Sequence, residues 1–140
     1  TKVTMKLIKI LVVLIIAYFS YDKFLKPYFA GHALQGDWIS DKEKSMNELR
    51  KLDLTARQEL FLERILGKSK LTITSNEIMF SVYGQTETSA YKIKSVKGDC
   101  YQLVENENKE SEVCLRNGDL YVPIENDMFN GAHEVFVRSK

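Results

Sequence analysis

Hydrophobic and polar positions change rhythm twice along the 140-residue chain. Ile10-Leu-Val-Val-Leu-Ile-Ile-Ala-Tyr-Phe19 is an unbroken apolar run, and from Leu7 to Tyr21 only Lys9 and Ser20 interrupt it. As a helix at about 1.5 Å per residue, that stretch covers about 22 Å, against a bilayer core of about 30 Å. Lys9 and Lys23 can snorkel, and Tyr18, Phe19, Tyr21 and Phe24 suit an interfacial belt. The pattern therefore predicts a transmembrane anchor in residues 1–25, spanning about Met5 to Phe24, then a juxtamembrane linker at 26–33.

A working domain is expected at 34–140. Leu34-Gln-Gly-Asp-Trp-Ile39 reads as a strand. Ser40-Asp-Lys-Glu43 and Thr55-Ala-Arg-Gln58 read as capping boxes, and Gly67 as a helix stop. They predict helices at about 41–52 and 56–66, with Met46, Leu49 and Leu52 facing inward from the first. Leu60, Phe61, Ile65 and Leu66 crowd the second. From Lys68 the period drops to two. Leu71–Thr74, Ile78–Tyr83, Ser89–Lys94, Tyr101–Val104, Glu112–Arg116, Leu120–Ile124 and Glu134–Arg138 alternate between turn residues. About eight short, evenly spaced strands predict a mainly β fold, an antiparallel meander closing into a barrel.

Asn117-Gly118 is the strongest hairpin signal, because a two-residue type I′ turn needs positive φ at both positions. If the preceding hairpin pairs about Glu107, Tyr101, Leu103, Val113 and Leu115 share the core face. Cys100 and Cys114 then fall opposite each other on the other face. A disulfide there closes a loop of about 15 residues and contributes about 3 kcal/mol. In a reducing compartment the two would remain thiols.

The formal charge of +1 conceals a split. Residues 1–33 carry five lysines and one aspartate, whereas 34–140 carry 15 basic and 18 acidic residues. The basic segment suits a membrane surface, and the acidic domain gives no reason to expect nucleic acid. Lys2, Lys6 and Lys9 precede the apolar run, while Lys23 and Lys26 follow it beside Asp22, which favours a cytoplasmic N-terminus. A cleaved signal peptide is the rival reading, but Ser20-Tyr-Asp-Lys-Phe-Leu-Lys-Pro-Tyr28 holds no small-x-small site. Residues 1–4 are expected to be an upstream extension, since Met5 starts a more typical export sequence.

No HExxH, CxxC, EF-hand, P-loop or Gly-x-Ser-x-Gly motif is present, and His32 and His133 lie far apart. No catalytic residue, metal ligand or cofactor is therefore expected. The acidic run Glu105–Glu112 reads as a solvated hairpin tip before a Ca²⁺ or basic-partner site.

Gly36-x-Trp38 resembles the opening of the first strand in lipocalin-like domains. In that family an Arg near the end of the last strand packs across the Trp, and Arg138 in Val135-Phe-Val-Arg138 stands where it should. Gly36-Asp-Trp-Ile-Ser-Asp41, a helical pair and a strand meander together resemble small bacterial lipocalin-like (calycin-type) domains of unassigned role, over most of 34–140. The resemblance implies a structural clamp of Trp38 and Arg138, stacked by a cation–π contact. The two-helix insertion after the first strand departs from classical lipocalins and weighs against a deep, open cup. Phe80, Val82, Tyr91, Ile93, Tyr101, Leu103, Tyr121, Val135 and Val137 are expected to face inward and largely fill the barrel. Phe80, Tyr91, Tyr101 and Tyr121 are the candidate lining of an apolar pocket.

The expected function is a non-enzymatic, membrane-tethered interaction module. It would sit in the bacterial inner membrane as a single-pass protein, its domain periplasmic, engaging an envelope protein or membrane complex. One alternative is an immunity or inhibitor protein against an exported toxin or hydrolase. Another is a carrier of a small apolar ligand.

Overall fold

The computed structural model of the chain describes residues 2–20, 33–125, 129 and 131–139. The expected belt residues Tyr21 and Phe24, Lys23, His32 and most of the 26–33 linker lie outside them. α1 (Lys2–Ser20) is followed by β1 (Gly36–Ser40), α2 (Lys42–Leu49) and α3 (Ala56–Ile65). Seven more strands complete the chain: β2 (Ser69–Ile73), β3 (Glu77–Val82), β4 (Gln85–Lys97), β5 (Cys100–Glu105), β6 (Glu110–Arg116), β7 (Asp119–Pro123) and β8 (His133–Arg138).

The expected membrane span is corrected. Among the described residues, no helix is long and apolar enough to cross a membrane. Lys2, Lys6 and Lys9 occupy the first half of α1. The uninterrupted apolar stretch Ile10–Phe19 is only about 15 Å long as a helix, about half a bilayer core.

The eight strands form a closed antiparallel barrel in chain order, with β8 returning to β1. β4 holds the meander together, pairing with β3 through its first half and with β5 through its second. A register irregularity between Ile93 and Ser95 bends it between the two. Inside, Trp38, Leu71, Ile73, Leu103, Leu120 and Phe136 belong to one buried cluster.

In chain order the helical pair lies between β1 and β2. In space it does not continue from the first strand: β1 pairs directly with β2 across the excursion, and α2 packs chiefly on the outside of β8. There Ser45 and the backbone of Val135 satisfy each other: the Val135 amide donates to Ser45 Oγ at 2.8 Å, and Oγ donates to the Val135 carbonyl at 3.3 Å. A second core forms from Met46, Leu49, Leu62 and Leu66 with Phe129 and Ala132. The cap of α2 is Asp41, whose carboxylate accepts from the Lys44 amide at 2.9 Å, rather than Ser40. α3 does carry the Thr55–Gln58 capping box. Its inward residues are Leu62 and Leu66, one turn apart, while Leu60, Phe61 and Ile65 are exposed.

Candidate functional site

The two ends of the barrel differ in chemistry. At the floor, Trp38 is 1% exposed and its Nε1 donates to the Leu34 carbonyl at 2.9 Å. The Arg138 guanidinium carbon lies 4.2 Å from the indole centroid, which is cation–π geometry. Its two terminal nitrogens donate to the carbonyls of Gln35 and Ala33, both at 2.6 Å. Gly36 is required beneath them: its φ is +131°, and a Cβ there would stand 2.6 Å from Arg138 Nη1. β1 and β8 pair Trp38 with Arg138, so the register itself brings ring and cation together.

Cys100 and Cys114 form a disulfide across the β5–β6 pair. Glu112 lies close to both sulfurs. The trio offers no thiolate to a metal, because both sulfurs are committed to the bridge.

Above the floor the barrel holds a cavity of about 640 Å³. Ile73, Ile78, Phe80, Leu103, Val113 and Val122 are among its apolar walls. A largely filled interior is therefore corrected. α2 packs outside β8 and α3 against α2, which leaves the lumen open, and Trp38 and the three candidate tyrosines lie outside its lining. Phe80 alone of the four candidate pocket residues lines the cavity. Tyr91 and Tyr101 are buried in the core outside the lining, with Tyr91 Oη donating to the Thr74 carbonyl at 2.6 Å. Burial pushes both phenols up, helped at Tyr101 by the field of Asp99. Tyr121 pairs with Cys114 and Val135 on the outer face, 5.1 Å beneath Arg116. Val135 and Val137 are likewise outside, since Phe136 and Arg138 take the inward positions of β8.

The mouth is acidic. Cross-strand pairs put Glu87 opposite Phe80, Glu105 opposite Tyr91 and Glu134 opposite Val122, so all three carboxylates share the inward face. Lys109 Nζ reaches Glu125 Oε2 at 2.7 Å. Its ammonium is held above the ordinary lysine value first by that bond and then by the fields of Glu125, Glu105 and Glu87, against a smaller lowering by burial. Glu134 is partly buried, and Ser40 Oγ donates to its Oε1 at 2.6 Å while accepting from the Gly67 amide at 3.1 Å. Burial pushes its carboxyl above the ordinary range, and the Ser40 bond offsets part of that rise. Glu134 and Ser40 were not expected as site residues. The clue was parity, because seating Arg138 over Trp38 commits Phe136 and Glu134 to the same face.

This arrangement defines a closed eight-stranded barrel with a sealed floor and an apolar lumen, compatible with a lipocalin-like fold. Neither a scan against protein-family models nor a search of curated proteins finds a match to the chain.

Proposed function

We propose that this chain is a non-enzymatic, lipocalin-like binding module that carries a small apolar ligand in its barrel. The carrying observation is the cavity of about 640 Å³ with apolar walls above a sealed floor. Its volume lies within the range of small-molecule sites, about 300–1,000 Å³. We place the module at a lipid surface outside the cytoplasm. The described side chains of α1 from Leu7 to Phe19 are exposed and almost all apolar, and Lys6 and Lys9 suit anionic headgroups, which supports contact of this helix with lipid. The Cys100–Cys114 bridge supports an oxidising compartment.

An envelope protein partner, including a toxin or hydrolase held by an immunity protein, is the second reading. Leu60, Phe61 and Ile65, exposed together on α3, favour it. Native mass spectrometry of the full chain, released from membranes in mild detergent, separates the two. The carrier reading expects a small-molecule adduct that disappears in Val122→Trp, a substitution that fills the cavity wall. A bare chain that also takes up no apolar probe overturns it.

A further inference from the structure

Six glutamates and one lysine contribute to the cavity lining. Three of the six are engaged elsewhere. Glu110 pairs with Lys94 at 2.7 Å, Glu112 accepts from Gln102, and Glu125 holds Lys109. Glu87, Glu105 and Glu134 remain on the inward face, and among the described residues none has a Lys or Arg within salt-bridge distance. The lumen thus combines an apolar wall with carboxylates of one sign and no uncommitted cation. A fatty carboxylate entering it would meet like charge at the mouth, where Lys109 is already engaged by Glu125. A neutral hydroxyl head could donate one hydrogen bond to a carboxylate but brings no charge to pair with it. A cationic head would meet three carboxylates beside an apolar wall, and at the partly buried Glu105 and Glu134 reduced solvent screening strengthens the attraction.

We propose that the ligand is a cationic amphiphile, a protonated amine with an apolar body. The body occupies the lumen between Phe80, Leu103 and Val122, and the ammonium lies among Glu87, Glu105 and Glu134. The assignment rests on the carrier reading and adds the head group that the barrel selects.

Three probes sharing one alkyl chain isolate the head: decylammonium, decanol and decanoate, each titrated calorimetrically into the full chain at neutral pH and low salt. Decylammonium is expected to bind more tightly than decanol by about ten-fold, equivalent to about 1.4 kcal/mol. Decanoate is expected to bind more weakly than decanol. Added salt should erode the preference for the amine and leave decanol unchanged. Glu87→Gln, Glu105→Gln and Glu134→Gln combined should remove the preference, bringing decylammonium to the affinity that decanol shows in the same variant. Val122→Trp should abolish binding of all three probes, and Val122→Phe repeats the test with a smaller filler if the indole disturbs the barrel. Both fillers leave α1 intact, so probe adsorbed on its apolar surface would persist in them. Equal affinity for amine and alcohol, or preference for decanoate, overturns the head-group assignment while the carrier reading stands. Failure of every probe to bind, or binding that survives both fillers in a folded barrel, overturns the carrier reading itself.

Discussion

Arg138 and Glu134 stand four residues apart on the same face of β8, at opposite ends of the lumen, and their surroundings could hardly differ more. The guanidinium has an indole against it and two carbonyls on its terminal nitrogens. The carboxylate has one hydroxyl bond and an apolar cavity. A charge satisfied in several directions locks its neighbours, and full satisfaction of a polar network is what gives such a site rigidity. A charge left with little compensation costs stability and is kept in the place where a ligand can use it. Under the proposed function the floor is architecture and the mouth a site, so substitutions at the two ends should separate stability from binding.

The largest effect is expected at the floor. Trp38→Ala removes the ring under Arg138 and opens a void in the main cluster, at a cost of about 3–5 kcal/mol. Urea unfolding followed by far-ultraviolet circular dichroism measures it, since Trp38 is the chain's sole tryptophan and its fluorescence is lost with the substitution. Glu105→Gln at the mouth should stay within about 0.5 kcal/mol of the parent. Similar losses at both ends would erase the distinction between them.

The disulfide comes next. Cys100 and Cys114 lie toward the floor, one strand from the β6–β7 turn at Asn117 and Gly118. Replacing both by serine should cost about 3 kcal/mol, the loop-closure value for about 15 residues. Binding of an apolar probe should be unchanged below the shifted unfolding midpoint, because the bridge lies outside the cavity lining. A changed affinity with unchanged stability would place the bridge in the site rather than in the frame. Thiol labelling of freshly extracted protein supplies the companion measurement: both cysteines should resist alkylation until reductant is added.

These elements were not equally legible in the sequence. The β5–β6 register could be read because alternation is clean there and Asn117-Gly118 anchors the next turn. Cys100 opposite Cys114 followed directly, and the structure pairs them so. Alternation failed where both faces of a strand are apolar. Val135 and Phe136 look equivalent as letters, but α2 covers the outer face and turns Val135 away from the lumen. Leu120, Tyr121 and Val122 pose the same ambiguity, and the tyrosine lies outside under Arg116. In α3, Leu60, Phe61, Leu62, Ile65 and Leu66 permit two stripes, and packing against the α2 core selects 62 and 66. Ser40 looked like a cap because caps and buried hydroxyls share residue types; its true partners lie 27 and 94 positions away. The cavity had no letter of its own, since empty volume follows from where the neighbouring side chains go. The apolar run of α1 is visible in the sequence, but Lys2, Lys6 and Lys9 share its first half, and the helix as described is not apolar enough over its length to cross a membrane.

The smallest effect, and the most direct probe of the mouth, is the pH dependence carried by Glu134. Burial raises its folded-state pKa above the value it has in the unfolded chain, with the Ser40 bond acting in the opposite sense. Between those two values the folded state holds more protons than the unfolded state, so stability contributed by this group falls as pH rises through that window. At neutral pH the charged carboxylate is a net cost, and acidification relieves it. Carboxylates whose folded pKa is depressed behave oppositely and dominate the whole-chain profile, so the informative quantity is the difference between the parent and Glu134→Gln. The amide should be the more stable at neutral pH, and its advantage should shrink as pH falls through the window. Ser40→Ala removes a donor from the ionised form and should push the Glu134 titration, followed by carboxyl NMR, further upward. A Glu134 that titrates at or below the ordinary carboxylate value would mean that it is as well compensated as Arg138, and the contrast between the two ends would fail.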